Sequence, residues 1–100
     1  MSLLTVTTLG LLMSGCSTTQ TAPTSLESYS KTVRAGFVSF KQGGMRHRAF
    51  AVGRIGRHEF FGFGHRYKTV EKAEERALEE CYSRAGRYKD KVTCFIYFSE

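Results

Sequence analysis

The chain is 100 residues long with a formal net charge of +6, and its first fifteen residues carry no charged side chain. A chain of this length forms one small domain at most, which excludes a multidomain architecture. The hydrophobic content of 41%, with eight Phe and five Tyr, is enough for a small core. Such a core supplies only a few kcal/mol, so domains of this size commonly need a covalent staple.

The N-terminus begins with the apolar run MSLLTVTTLGLLM, which is too short to span a bilayer, since a spanning helix needs about 20 residues. The run fits the apolar region of a signal peptide, with the small residues Ser14 and Gly15 just before Cys16. We therefore expect a signal peptide over 1–15. The following polar, Thr-rich tract predicts a flexible linker over 16–24. The alternative is a buried N-terminal helix with a free thiol.

The sequence MSGC at Met13–Cys16 resembles the lipobox of bacterial lipoproteins, in which the cysteine receives a diacylglycerol and becomes the mature N-terminus. Met13 stands where leucine is usual, and no Lys or Arg precedes the apolar run, which suggests the hypothesis that the natural start lies upstream of Met1. The resemblance implies a lipid on Cys16. Because Ser17 rather than Asp follows, it also implies sorting to the periplasmic face of the outer membrane.

The folded part, over 25–100, begins with a predicted helix from about residue 25 to residue 42. Its apolar residues recur at spacings of three and four and form one helical stripe: Leu26, Tyr29, Val33, Phe37 and Phe40. Thr24 and Glu27 have the spacing of a capping box, and Gly43-Gly44 is a natural helix end.

The stretch HRAFAVGRIGRHEFFGFGHRY contains two runs of period two that are separated by IGRH, which predicts a β-hairpin. Phe50 and Val52 lie on one face of the first run, and Phe61 and Phe63 on one face of the second. The opposite face carries small residues: Ala49, Ala51, Gly53, Gly62 and Gly64. These small residues favour close backbone approach or a helix that lies against that face.

The stretch TVEKAEERALEECYSRAG predicts a second helix with Thr69 as N-cap, Glu71 in its first turn and Gly86 at its end. The run VTCFIYF then predicts a strand, whose period two places four residues on one face: Val92, Cys94, Ile96 and Phe98. The resulting fold class is α+β, an αββαβ domain in which two helices pack on a three-stranded sheet. We expect the last strand to pair antiparallel with the first hairpin strand.

Two of the three cysteines lie on these predicted packing faces. Cys81 belongs to the apolar stripe of the second helix, and Cys94 to the same strand face as Val92 and Ile96. If that face packs on the helix, a Cys81–Cys94 disulfide closes a short loop and contributes about 3 kcal/mol. The bond would persist in the oxidising periplasm. The alternative is two separate buried thiols.

The segment from 48 to 98 resembles a small secreted bacterial domain of unknown function, on the residues RAFAVGRIG, GFG and AEERALEEC and a later cysteine. In that domain a hairpin precedes a helix and a final strand that each carry a cysteine. The resemblance implies a fold and a compartment, and no activity.

Candidate chemistry is sparse. A hydrolase or metal-dependent centre would use His58, Glu59 and His65, but His58 falls near the turn. A cysteine nucleophile is also not expected, because Cys81 and Cys94 are better explained by each other and Cys16 by a lipid, so we predict no catalytic residue, metal or cofactor. The stretch RAGFVSF at 34–40 is similar to the aromatic signature of RNA-recognition domains. Its Phe37 and Phe40 fit the helical stripe instead, so we do not expect nucleic acid as a partner.

Basic residues around the hairpin are the remaining functional indication. They are Arg46, Arg48, Arg54, Arg57, Arg66 and Lys68. Clustered positive charge concentrates anions such as phosphorylated lipid headgroups or acidic glycans. We therefore expect a non-catalytic envelope module that contacts an anionic component or an envelope protein through the hairpin. The alternatives are a merely solvated basic surface and the small hydrolase or metal enzyme.

Overall fold

A computed structural model describes residues 21–44 and 46–100 of the chain. The elements follow in the order α1 (Lys31–Gln42), β1 (Ala49–Ile55), β2 (His58–Gly64), α2 (Val70–Ala85) and β3 (Cys94–Ser99). This order confirms the predicted αββαβ domain. Neither helix in the described residues is long and apolar enough to cross a membrane. The predicted signal peptide, Cys16 and Ser17 lie outside the described residues.

The sheet has the strand order β2-β1-β3, and both pairs are antiparallel. The hairpin register joins Ala49 to Gly64 at its open end and Ile55 to His58 at its closed end. Gly56 forms the turn with a φ of 59°, a left-handed conformation that favours glycine. The pairing of β3 with β1 confirms the predicted topology and places the first hairpin strand at the centre of the sheet.

One face of the sheet packs against α2 through small residues. The buried cluster on this face contains Ala49 and Ala51 of β1 and a stripe of α2: Ala73, Ala77, Cys81 and Ala85. A methyl group on Gly62 would collide with the main chain of α2, where the Ala77 carbonyl oxygen lies 2.5 Å from the Cβ position. The small face predicted from the sequence therefore lets the helix backbone rest directly on β2.

The other face packs against α1 through large residues. Phe50 and Val52 of β1 are fully buried there, below Val33 and Phe40 of α1. The ring of Phe37 contacts Phe50 edge-on at 5.2 Å between centroids. The molecule is thus a three-layer structure in which the sheet separates an aromatic core from a small-residue core.

The first helix begins later than the sequence predicts. Ser30 is its N-cap, accepting a hydrogen bond from the Val33 amide, so the predicted start at 25 and the Thr24–Glu27 capping box are wrong. Leu26 and Tyr29 instead form a turn joined by a 3.0 Å main-chain hydrogen bond. The Ser30 amide donates to the Glu59 carboxylate at 2.8 Å. The partner of the Ser30 amide is thus a side chain of the hairpin and not a helical carbonyl, and α1 starts only at the next residue.

The last strand contains an irregularity that corrects its predicted pattern. The β1–β3 register shifts between Phe50 and Ala51, so that Phe98 faces Phe50 while Ile96 faces Ala51. Val92, Cys94 and Ile96 pack on the α2 side as predicted, but Phe98 packs on the α1 side. The extra residue, Tyr97, is a β-bulge, and inserting one residue reverses the faces of the residues that follow.

Candidate functional site

The six basic residues predicted to form a hairpin surface do not lie together. Arg46, Arg57, Arg66 and Lys68 are exposed. Arg48 is buried, and Arg54 is half-buried in contacts with neighbouring side chains. Two of the six residues predicted for the basic surface are therefore engaged in contacts within the fold, Arg48 as a buried residue and Arg54 as a half-buried one.

Arg48 joins the end of the sheet to α1. Its guanidinium forms an ion pair with Glu100 and donates hydrogen bonds to the carbonyl oxygens of Phe40 and Lys41 at 3.2 and 3.1 Å. Those carbonyls belong to the last turn of α1, where main-chain acceptors lack helical partners. Arg48 is a structural residue that provides hydrogen-bond donors to the carbonyl oxygens at the end of this helix.

Arg54 connects the hairpin to the turn before α1. Its guanidinium carbon lies 3.9 Å from the centre of the Tyr29 ring, and its Nη2 donates to the Ser28 hydroxyl at 2.8 Å. Its Nε is buried and faces the Glu59 carboxylate at 3.7 Å, beyond hydrogen-bond distance. Burial raises the pKa of Tyr29, and the positive charge of Arg54 partly offsets that rise.

The exposed bases divide between the two ends of the hairpin. Arg57 lies in the turn, whereas Arg46, Arg66 and Lys68 lie at the opposite end, about 20 Å away along strands of this length. We call Arg46, Arg66 and Lys68 the basic open end. The Arg66 amide donates to the Arg46 carbonyl at 3.4 Å, which holds the two segments together.

The basic open end has an unusual backbone. Arg66 and His47 have φ values of 69° and 50°, in the left-handed region that non-glycine residues rarely occupy. A hydrogen bond of 3.0 Å between the His47 ring and the Tyr67 carbonyl fixes this conformation. A depression of about 470 Å³ opens here, lined by Gly44, Arg46, His47, Val70 and Glu100.

The structure keeps the three residues of the enzyme alternative apart. His58 stacks on Tyr88 on the α2 side, and His65 stacks on Phe63 at the other end of β2. The Glu59 carboxylate accepts a hydrogen bond from the Ser30 amide and forms an ion pair with Arg54. Among the described residues, no three His, Cys, Asp or Glu side chains come together as a metal site would require. The geometry offers no support for that alternative.

Cys81 and Cys94 form a disulfide with a Cα–Cα distance of 6.3 Å, which confirms the predicted pair. Both residues are buried between α2 and the sheet. The bond joins the start of the third strand to the second helix covalently.

Basic residues of α1 were missed as candidates, although their spacing is visible in the sequence. Lys31, Arg34 and Lys41 are exposed and share one side of α1 with Val38, which is 54% exposed. Spacings of three, four and three residues place all four on one stripe. This basic stripe lies on a different side of α1 from the apolar stripe from which the helix was predicted. The apolar pattern alone therefore did not indicate it.

Comparison of the chain with protein-family models, curated proteins and solved structures finds no match. The residues and their geometry are therefore the basis for any proposed function.

Proposed function

We propose that this chain is a bacterial lipoprotein anchored through Cys16 to the periplasmic face of the outer membrane. Its folded domain would be a non-catalytic module that binds an anionic envelope component through the basic open end. Two features support export. The lipobox-like MSGC provides a lipid acceptor, and the Cys81–Cys94 disulfide is a bond that persists in oxidising compartments such as the periplasm.

The separation of charge in the fold carries the binding proposal. Helix α2 has five carboxylates against three bases, whereas the rest of the chain has twelve bases against four carboxylates. Three of the α2 carboxylates pair with bases on the same helix, namely Glu75, Glu79 and Glu80. The side chains of Arg46 and Lys68 form no ion pair within the described part of the chain. The unpaired positive charge of Arg46 and Lys68 attracts anionic ligands to this end of the hairpin.

Binding can be measured with dextran sulfate as a soluble anionic glycan and neutral dextran as its control. We expect the full chain in neutral detergent to bind dextran sulfate and not neutral dextran. Its affinity for dextran sulfate should fall as the salt concentration rises, because salt screens exposed charges. The double variant Arg46→Glu/Lys68→Glu should lower affinity about tenfold. The matched variant Lys89→Glu/Lys91→Glu makes the same charge change beside Tyr88, which stacks on His58 at the closed end of the hairpin, and should have a smaller effect. Equal effects of the two variants would reduce the proposal to unspecific charge attraction.

The anchor is tested separately. Cys16→Ser should abolish fatty-acid labelling in bacterial cells and release the domain from the membrane fraction. Ser17→Asp should retain the label and move the protein to the inner membrane, as the lipoprotein resemblance implies. Persistent membrane association of Cys16→Ser would contradict the anchor and leave the glycan-binding result standing.

A further inference from the structure

The two edges of the sheet differ in how their main-chain groups are satisfied. At the β2 edge, the Phe63 amide donates to the Glu80 carboxylate at 2.9 Å, and the Phe61 carbonyl accepts from Arg84 at 3.2 Å. Glu80 and Arg84 also form an ion pair with each other at 3.4 Å. Both side chains belong to α2, and an edge strand whose outward main-chain groups are covered in this way is protected from pairing with another strand. The β2 edge is therefore closed.

Residues 21–44 and 46–100 place no such cover over the β3 edge. Arg48 and Glu100 exchange both main-chain hydrogen bonds. In an antiparallel ladder alternate residues direct their main-chain groups to the same neighbour, so the main-chain groups of Phe50 and Val52 also point to β3, where they meet Phe98 and Phe95. The residues of β3 next to these partners, Cys94, Ile96 and Ser99, direct their main-chain groups away from β1. The Cys94 amide donates to the Tyr82 hydroxyl at 3.0 Å. For the outward main-chain groups of Ile96 and Ser99, the described residues provide no partner.

Different chemistry flanks this edge on the two faces of the sheet. On the α1 side, the Lys41 ammonium lies 4.0 Å from the centre of the Phe98 ring, and Phe37 contacts Tyr97 edge-on. Arg34 precedes Lys41 by two helical turns and lies on the same side of α1, and both residues are exposed. The α1 flank of the open edge is therefore positively charged.

On the α2 side the flank is apolar with one carboxylate. Glu74 accepts a hydrogen bond from the Ser99 hydroxyl at 2.7 Å, and Tyr82 reaches the Cys94 amide. Leu78 lies between these two residues at helical spacing and is half-buried against the core. A segment added to β3 would meet Leu78 and Tyr82 on this face and positive charge on the other.

A second copy of the chain fits this edge poorly. Antiparallel pairing of two β3 strands about a two-fold axis would place both α1 helices on the same face of one continuous sheet. Arg34 and Lys41 of one copy would then approach the same residues of the other. Glu74 would approach its own counterpart on the opposite face. Like charges at a pairing edge oppose association, so the charge pattern favours a different occupant.

We propose that the β3 edge is a strand-addition site for an extended segment of another protein, in which acidic and apolar residues alternate. Successive side chains of a strand point to opposite faces. The acidic residues would face Arg34 and Lys41, and the apolar residues would face Leu78 and Tyr82. Main-chain hydrogen bonds to Ile96 and Ser99 would provide affinity, as in other strand-addition complexes. This site is separate from the basic open end and does not depend on the anchor.

A fluorescent peptide in which glutamate and valine alternate tests the site on the full chain in neutral detergent. We expect saturable binding, seen by fluorescence anisotropy, with shifts of the Ile96 and Ser99 amide signals in nuclear magnetic resonance spectra. A peptide with lysine in place of glutamate should not bind. Arg34→Glu/Lys41→Glu should weaken binding about tenfold, whereas Arg46→Glu/Lys68→Glu should leave it unchanged.

Ile96→Pro tests the hydrogen bonding itself. Proline removes the outward amide of Ile96, and on an edge strand this leaves the ladder to β1 intact. It should abolish peptide binding, whereas Ile96→Val should retain it. The charge variants and the amide shifts decide the matter if Ile96→Pro does not fold. Equal binding of the glutamate and lysine peptides, or amide shifts confined to other residues, would overturn the proposal. Concentration-dependent dimerisation that Ile96→Pro abolishes would also overturn it, in favour of a second copy.

Discussion

Arg48 and Glu100 are joined twice, once through their main chains and once through their side chains. The two main-chain hydrogen bonds measure 2.9 and 3.0 Å, and the guanidinium pairs with the Glu100 carboxylate. The arginine side chain is 7% exposed and the carboxylate 52%. The pair joins the ends of β1 and β3, and because the Arg48 side chain is buried in it, Arg48 does not contribute to the basic surface.

Replacing Arg48 should therefore destabilise the domain. In Arg48→Met, the carbonyl oxygens of Phe40 and Lys41 lose their charged donor, and we expect a loss of about 2 kcal/mol in the free energy of unfolding. Denaturant unfolding followed by circular dichroism measures this loss. The neighbouring exposed arginine provides the control, since Arg46→Met should change stability by about 0.5 kcal/mol or less. Equal losses in the two variants would contradict the structural role of Arg48.

The contact between β2 and α2 predicts that Gly62→Ala is severely destabilising. The added methyl group meets main-chain atoms of α2 that cannot move without displacing the helix. We expect a loss of about 3 kcal/mol or more. Gly36→Ala is the matched control, because the atoms nearest to its methyl group belong to the far end of the Phe61 ring, at 2.8 Å, and that half-buried ring borders a depression into which it can shift. An alanine in mid-helix also gains about 0.5–1 kcal/mol over glycine, so Gly36→Ala should be close to neutral.

The disulfide should account for a large share of the domain's stability. Cys81→Ala/Cys94→Ala should lower the free energy of unfolding by about 3 kcal/mol. Reductant should lower the melting temperature of the parent protein and leave that of the double variant unchanged. A second measurement checks the cysteine inventory. Thiol counting on the denatured, lipidated protein should find no free sulfhydryl until reductant is added. One free thiol per chain would indicate that Cys16 carries no lipid.

Tyr29 should make stability depend on pH in the alkaline range. Its pKa is raised in the folded state by burial, so folding favours the neutral phenol. This contribution is fully present below the unfolded-state pKa of about 10 and is lost as pH rises through the higher folded-state value. The stability advantage of the parent protein over Tyr29→Phe should therefore shrink above pH 10. Denaturant midpoints of both proteins across that range measure the effect, and a pH-independent difference would contradict it.

The enzyme alternative has its own test. His58 and His65 stack on aromatic rings in separate places, so His58→Ala/His65→Ala should leave dextran sulfate and peptide binding unchanged. The same variant should also retain the phenotype of the parent gene in cells. Loss of that phenotype with both binding activities intact would reopen the search for a catalytic site.

Local signals in the sequence determined most of the architecture. The second helix begins after Thr69 and ends at Gly86 as predicted, because its cap, its stripe and its end are encoded within a few residues of one another. The alternation of small and large residues specified which hairpin face a helix backbone would approach closely. The same periodicities brought Cys81 and Cys94 to facing positions, which the disulfide confirms.

Tertiary structure alone decided the details on which the functional surface depends. At the start of α1, the Ser30 amide donates to Glu59, a residue distant in sequence that no local pattern could have indicated. The bulge at Tyr97 moved Phe98 to the other face, since strand register depends on the partner strand rather than on local pattern. The burial of Arg48 and Arg54 also depends on residues that are distant in sequence. A basic residue remains on the surface or becomes buried according to the carboxylates and aromatic rings that the fold places beside it, and the charge of the residue does not indicate which neighbours these will be.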